Sequence, residues 1–187
     1  FSISELRGLM FLNLAVSAGG SMILVNTIIL VRSSLELSEI AFSITMLLFG
    51  AGCIFAAIII PYLSKEMTVS RIMLAGSNLL SVVFVALAFW LIIFDFVWFV
   101  LLLAWFISGF GYTLLLTPMG RVIRKVASVD EFSQVYSAQF SLSHLCWLFM
   151  YPLSGYLMTI SGGPITLLTL ALLIACLNII ATWHFSG

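Results

Sequence analysis

Five long stretches of this chain carry no Asp, Glu, Lys or Arg: Gly8 to Val31, Ile40 to Ser64, Ile72 to Phe94, Phe96 to Gly120 and Phe132 to Gly187. A soluble domain carries roughly 25% charged residues. Here the charged share is 7% and the hydrophobic share 63%, with a mean hydropathy of +1.27. A water-facing surface cannot be built from this composition, so lipid is the solvent for most of the chain. Each of the first four runs matches one crossing, since a helix needs about 20 residues to span a hydrocarbon core of ~30 Å. Asp95 alone separates the third run from the fourth. One helix from Ile72 to Thr117 would be about 69 Å long at 1.5 Å per residue. A carboxylate in mid-span would also cost about 2.5–3.5 kcal/mol, so the chain is expected to turn at Asp95.

The last run is too long for one crossing and is interrupted at Ser161-Gly162-Gly163-Pro164, a strong turn signal. The expectation is six helices, at about 9–31, 40–63, 72–94, 96–117, 134–159 and 164–184. Open sheet is excluded because its backbone groups go unsatisfied in lipid. A barrel would need short alternating segments, and these runs are long and uniformly apolar. The fold class is therefore all-α, a polytopic membrane protein whose six transmembrane helices form one bundle over residues 1–187.

Alternating the loops between the two sides puts Arg7, Lys65, Arg71, Arg121, Arg124 and Lys125 on one side and only Arg32 on the other. The positive-inside rule then makes both termini cytoplasmic. Trp90 and Trp98 flank Asp95 and suit an interfacial aromatic belt. The first run is too long for a cleavable signal peptide and lacks a small-residue cleavage site. The sequence begins at Phe1 and ends about where the sixth span does, as expected for a piece of something longer. Cys53, Cys146 and Cys176 lie within spans, without disulfide or metal-ligand spacing, and read as packing residues. Seven basic residues balance seven acidic ones, which leaves no basic surface for nucleic acid.

Ser128-Val129-Asp130-Glu131 reads as a capping box before the fifth span, and Ser38 and Ser70 are expected caps for the second and third. The spacing of Arg121, Arg124 and Lys125 is that of one face of a short interfacial helix. Small residues cluster at Gly19-Gly20-Ser21, at Gly50, Cys53 and Ala57 with Gly52 and Ala56 beside them, and at Ser108-Gly109 and Gly111. Such clusters let helices approach closely in lipid.

No carboxylate, Lys or Arg lies deep in any span, against a self-contained proton relay or metal site. His144 is the one internal titratable group of the kind that changes charge near neutral pH. It reads either as a satisfied structural histidine or as a solute- or proton-handling residue. At 100° per residue Gln139, Ser143 and Cys146 share one helix face, and Ser137, Ser141, His144 and Tyr151 another. Asn13, Ser17, Gly20 and Ser21 form a polar stripe on the first span, which suits interhelical bonding or a pathway lining equally. Asn26 lies opposite that stripe, and Tyr112 sits one turn after Ser108. The pathway candidates are Asn13, Ser17, Ser21, Ser108, Tyr112, Gln139, Ser143 and His144. Enzyme readings fare poorly: there is no Gly-x-Ser-Gly, His-Glu-x-x-His, Asp pair, CxxC or P-loop, and no cofactor pattern.

Phe49-Gly-Ala-Gly52 leads into Pro61-Tyr-Leu-Ser-Lys-Glu-Met-Thr-Val-Ser-Arg71. This stretch resembles the cytoplasmic loop motif of the major facilitator superfamily, with Leu63 kept, Pro61 and Lys65 standing for its Gly and Asp, and Arg71 closing it. Met150-Tyr-Pro152-Leu-Ser-Gly155 is similar to the family's Gly-Pro-x-x-Gly motif. Thr117-Pro-Met-Gly-Arg121, Ala138 to Trp147 and Tyr151 to Gly155 resemble bacterial efflux-type members, including some related to nickel-resistance permeases. The resemblance implies the C-terminal six-helix half of a twelve-helix secondary transporter. It implies alternating access, proton-coupled efflux of a small-molecule solute, and an absent N-terminal half holding the main coupling residue. Spans 1, 2, 4 and 5 would line a central cavity, and spans 3 and 6 would face the lipid bilayer. A complete six-span protein acting as a homo-oligomeric carrier or channel stays open, as does a non-transporting membrane scaffold.

Overall fold

In a computed structural model residues 4–128 and 130–186 are described. Val129 lies outside them, so the middle of the expected capping box does too. The architecture is all-helical. Helix α1 spans Ser4–Ile28 and runs on through a π-helical turn, Ile29–Ser34. Beyond it come α2 (Glu39–Glu66), α3 (Val69–Ile93), α4 (Trp98–Leu116), the short α5 (Met119–Val126) and α6 (Phe132–Ser186). The described residues hold five helical stretches long and apolar enough to cross a membrane, with α4 and α5 counted together, rather than six.

The difference in number arises at Gly162. There the backbone takes φ 74° and ψ 176°, a region essentially reserved for glycine. The helix breaks at that single residue, and helical structure resumes without a loop. Pro164, expected to start a new helix after a turn, sits inside the same element. The neighbours of α6 reverse in order across the break. Before it, Trp147 meets Gly20 and Asn26 bonds to Ser154; after it, Ile174 lies by Gly19 and Phe185 by Gly8. The two arms of α6 therefore run antiparallel along α1.

Helix α1 is the axis of the bundle and its most buried element, while α2 is the least buried. α6 packs on α1, α2 on α4, and α3 on both α4 and α6. Leu9, Leu12, Met22, Ile23, Phe84, Leu101 and Trp105 form the centre of the core. Lipid is as apolar as these side chains, so close backbone approach and polar bonds must hold the helices together. A Cβ added at Gly52 would overlap the Phe106 carbonyl, and one at Gly109 the Phe49 carbonyl, so α2 and α4 touch backbone to backbone. Gly76 and Gly111 do the same between α3 and α4, where a Cβ on Gly76 would lie 2.6 Å from the Gly111 oxygen. The face of α2 that packs is thus Gly52 and Ala56; Gly50, expected on the packing face, has nothing near it.

Polar bonds reinforce the same seams. Trp105 Nε1 donates to Thr27 Oγ1 at 2.7 Å and Trp98 Nε1 to Thr45 Oγ1 at 2.9 Å, fastening α4 to α1 and to α2. Each threonine hydroxyl in turn donates to a carbonyl of its own helix, Ile23 or Ala41. Trp98, half-buried at the start of α4, turns its N–H toward α2; Trp90 keeps to the Asp95 turn, donating to the Asp95 carbonyl at 3.3 Å. Asn26 Nδ2 donates to Ser154 Oγ at 2.8 Å, and Asn178 Nδ2 to Asn78 Oδ1 at 2.7 Å. Ser81 Oγ donates to the Ala171 carbonyl at 2.9 Å. Asn78 and Ser81 of α3 thus bond to the second arm of α6.

Ser38 caps α2, accepting from the Ala41 N–H at 3.3 Å. α3 begins slightly earlier than expected: Thr68, not Ser70, holds the N-cap position, and its side chain makes no capping bond. Ser128 Oγ donates to Glu131 Oε2 at 2.6 Å, a direct side-chain pair in place of a reciprocal box. Cys53, Cys146 and Cys176 are free thiols. Because Gly109 meets a carbonyl and Gly50 meets nothing, their alanine variants should part company. Gly109→Ala is expected to lower the melting temperature of the detergent-purified full-length protein by roughly 5 °C or more, with Gly50→Ala within about 2 °C of wild type.

Candidate functional site

A cavity of about 390 Å³ lies at the end of the bundle that carries the basic residues, between α1, α4, α5 and the first arm of α6. α1 contributes Asn13 and Val16, α4 Tyr112 and Leu116, and α5 Met119 and Ile123. The first arm of α6 supplies Tyr136, Gln139, Phe140, Ser143, His144 and Trp147, a stripe at i, i+3, i+4 spacing along one side of a helix. Five expected pathway residues therefore meet here: Asn13, Tyr112, Gln139, Ser143 and His144. The two helix faces separated by sequence reasoning merge, because the cavity is wide enough to take both Gln139 and His144.

Asn13 and Gln139 are the polar anchors. Asn13 is 4% exposed and Gln139 5%, yet Asn13 Nδ2 and both Gln139 amide atoms find no hydrogen-bond partner among the described residues. Buried amides are ordinarily bonded, and these three atoms are exceptions to that rule. His144 is exposed, with Nδ1 2.9 Å from the Phe140 carbonyl and 3.4 Å from Ser143 Oγ. A ring nitrogen beside a carbonyl oxygen must donate, which places the proton on Nδ1 and turns Nε2 away from the bond. The imidazole also lies on Phe140, ring centroids 4.1 Å apart. Ser143 Oγ donates back to the Phe140 carbonyl at 2.8 Å.

Ser17, Ser21 and Ser108 stand apart from this cavity. Ser17 and Ser21 are fully buried and donate to carbonyls of their own helix, Leu14 and Ala18, at 2.9 Å each. The polar stripe on α1 therefore divides: Asn13 lines the cavity, the serines turn back on the helix, and Gly20 receives the Trp147 ring. A Cβ at Gly20 would overlap that indole, so the missing side chain is what seats Trp147. Ser108 is buried with its hydroxyl unpartnered, beside the Gly109 crossing. α2, implied by the family resemblance as a cavity wall, contributes no lining residue.

The loop motif is mostly helical. Pro61, Leu63 and Lys65 lie in the last turns of α2 and Arg71 in the first turn of α3, leaving only Met67 and Thr68 between the helices. Lys65 Nζ sits 5.8 Å from the Tyr62 ring centroid. The motif's polar link is Ser64, which accepts from Arg121 Nη1 at 2.8 Å and so joins α2 to α5. α5 is a short helix with its basic residues on one side, as their spacing suggested: Arg121, Arg124 and Lys125 point outward while Met119, Val122 and Ile123 are buried.

Sequence reasoning missed Tyr136, Phe140 and Trp147, and the apolar side of α5. The signal was present: these three aromatics recur at the spacing of Gln139 and Ser143, which a search for polar residues alone passes over. Among the described residues no cluster of three His, Cys, Asp or Glu could hold a metal ion.

A bundle of helices this long and apolar defines a multi-pass membrane protein. The family model for the Major Facilitator Superfamily matches residues 9–186, and the chain belongs to that superfamily. Membrane transport of a solute is accordingly its class of function. No curated protein and no solved structure matches the chain.

The open cavity and the buried serine make a labelling contrast. In a full-length background lacking Cys53, Cys146 and Cys176, Ser143→Cys should react with a water-soluble maleimide at least about tenfold faster than Ser17→Cys. Equal rates would place both positions in one environment.

Proposed function

We propose that the chain is one six-crossing bundle of a twelve-helix secondary transporter, and that this cavity is its share of the solute pathway. The observation that carries the reading is the meeting of Asn13, Tyr112, Gln139, Ser143 and His144, from three different helices, around one cavity of about 390 Å³. The reversal at Gly162 supports counting α6 as two crossings, which brings the total to six and both ends to one side. The basic residues at that side support a cytoplasmic assignment in a bacterial inner membrane.

A companion bundle is favoured by what this one leaves open. Tyr136 and Phe140 line the cavity yet are 49% and 57% exposed, so one wall is incomplete. Leu47, Ile54, Ile58 and Tyr62 on α2 are also exposed. A second six-helix bundle would close the cavity, and the two would rock about it to give alternating access. Transport would be export coupled to protons. No carboxylate lines this cavity, so the coupling acid belongs in the companion half, with His144 placed to sense the proton or the solute here.

Cells expressing the full-length protein, challenged with a panel of toxic compounds, provide the test. Gln139→Leu and Asn13→Leu are each expected to cut export of the active compound about tenfold or more at unchanged protein levels. Full export by both variants would remove the cavity from the pathway. Neutralising the acidic residues of the companion half one at a time should abolish gradient-driven export at one or two positions; coupling that survives all of them puts the proton site in this bundle.

A further inference from the structure

Helix α5 separates two cavities. Met119, Gly120 and Ile123 line the candidate pathway, while Arg121, Val122 and Lys125 line a second space of about 360 Å³. We infer that this second cavity seats the phosphodiester of an anionic phospholipid such as phosphatidylglycerol, independently of any role for the first. Arg121 and Lys125 stand at i, i+4, neighbours on one side of the helix. Both are exposed, and among the described residues neither is in an ion pair. Arg121 Nη1 donates to Ser64 Oγ at 2.8 Å, and that hydroxyl donates in turn to the Ile60 carbonyl at 2.8 Å. The guanidinium is thus fixed to the end of α2 with its other N–H donors still to spend.

The charge of the lining narrows the ligand. Two cations and one carboxylate, Glu5, border the space. Their balance matches the single negative charge of a phosphodiester better than the near-double charge of a free phosphate or a phosphomonoester. Glu5 also offers an acceptor to the hydroxyls of a glycerol head. Thr68 and Ser70, whose hydroxyls lie 3.4 Å apart, border the same space. α3 begins there with no side-chain cap and no acidic residue in its first turn, so the positive end of its dipole adds to the cations without a local counter-charge.

The depth is that of lipid phosphates. Ser64 lies in the last turn of α2 and Ser70 in the first turn of α3, two helices long and apolar enough to cross a membrane. Basic pockets between the ends of such helices recognise anionic lipid heads. Arg124 is the internal contrast: it is equally charged and on the same helix, but it lies over the Phe132 ring, 5.9 Å from its centroid, and lines no part of this cavity.

Isothermal titration of the detergent-purified full-length protein with dihexanoyl phosphatidylglycerol, a soluble short-chain lipid, tests this. Binding is expected to be about tenfold or more tighter than that of dihexanoyl phosphatidylcholine, whose head carries no net charge. Arg121→Gln and Lys125→Gln should each weaken it about fivefold; the second removes no hydrogen bond among the described residues. Lys125→Arg, which keeps the charge, and Arg124→Gln, which lies outside the cavity and is screened by salt, should stay within about twofold of wild type. Equal affinity for the two lipids overturns the inference, as does a preference that survives both cavity variants, an equal loss in Arg124→Gln, or no measurable binding. Glycerol 1-phosphate or inorganic phosphate binding as tightly as the lipid would also overturn it, by giving the cavity to a soluble anion.

Discussion

Apolar side chains gain nothing by leaving lipid for each other, so this bundle depends on how closely its backbones approach. The two contacts at which α4 meets its neighbours, Gly52 with Gly109 and Gly76 with Gly111, leave no room for a side chain. They bring α2 and α3 onto different sides of α4, and dispersion between many close atom pairs does the work that water would do in a soluble core. The tryptophan–threonine bonds then fix the helices lengthwise. Trp98 and Trp105 lie two turns apart on α4 and reach α2 and α1 respectively. Packing supplies the proximity, and the indoles supply the register.

The cavity arises from the same arrangement. α1 is surrounded along most of its length, and Asn13 faces the gap between α4, α5 and the first arm of α6. That arm is held at mid-height by Asn26 and Ser154 and by Trp147 against Gly20. Below those contacts it diverges enough for Gln139 and Ser143 to border open space. The short α5 closes the lower side with Met119 and Ile123, while Arg121 ties it to α2 through Ser64. A polar-lined cavity thus comes from a splayed pair of helices, with no Asp, Glu, Lys or Arg in its lining.

Much of this was legible where charge is missing. The uncharged runs gave four spans within a few residues of their ends, because a charge at mid-span is costly and a charge at the boundary is not. The basic face of α5 was legible from the spacing of Arg121, Arg124 and Lys125; its apolar face was not. Nor was inward direction. Trp98 reads from sequence as a boundary residue because indoles favour that depth, and nothing in the sequence points its N–H to Thr45 of α2. Gly50 and Gly52 are equally small, and only the crossing with α4 distinguishes them. The faces of the fifth segment were drawn too narrowly around polar residues, so the aromatics between them were passed over. Gly162-Gly163-Pro164 correctly marked a reversal, yet proline at the start of a helical arm needs no loop before it.

Gly162 turns the chain in one step, and this leaves α6 no slack. Both arms engage the rest of the bundle through particular pairs, Ser154 with Asn26 on one and Asn178 with Asn78 on the other. A loop of several residues would absorb a change in length between these pairs. A one-residue hinge transmits it, and each residue added to a helix rotates the remainder of that helix by about 100°. The spacing from Ser154 to Asn178 is therefore a fixed phase: lengthening it by one position would swing Asn178 off Asn78 and the apolar seam beside it out toward the acyl chains.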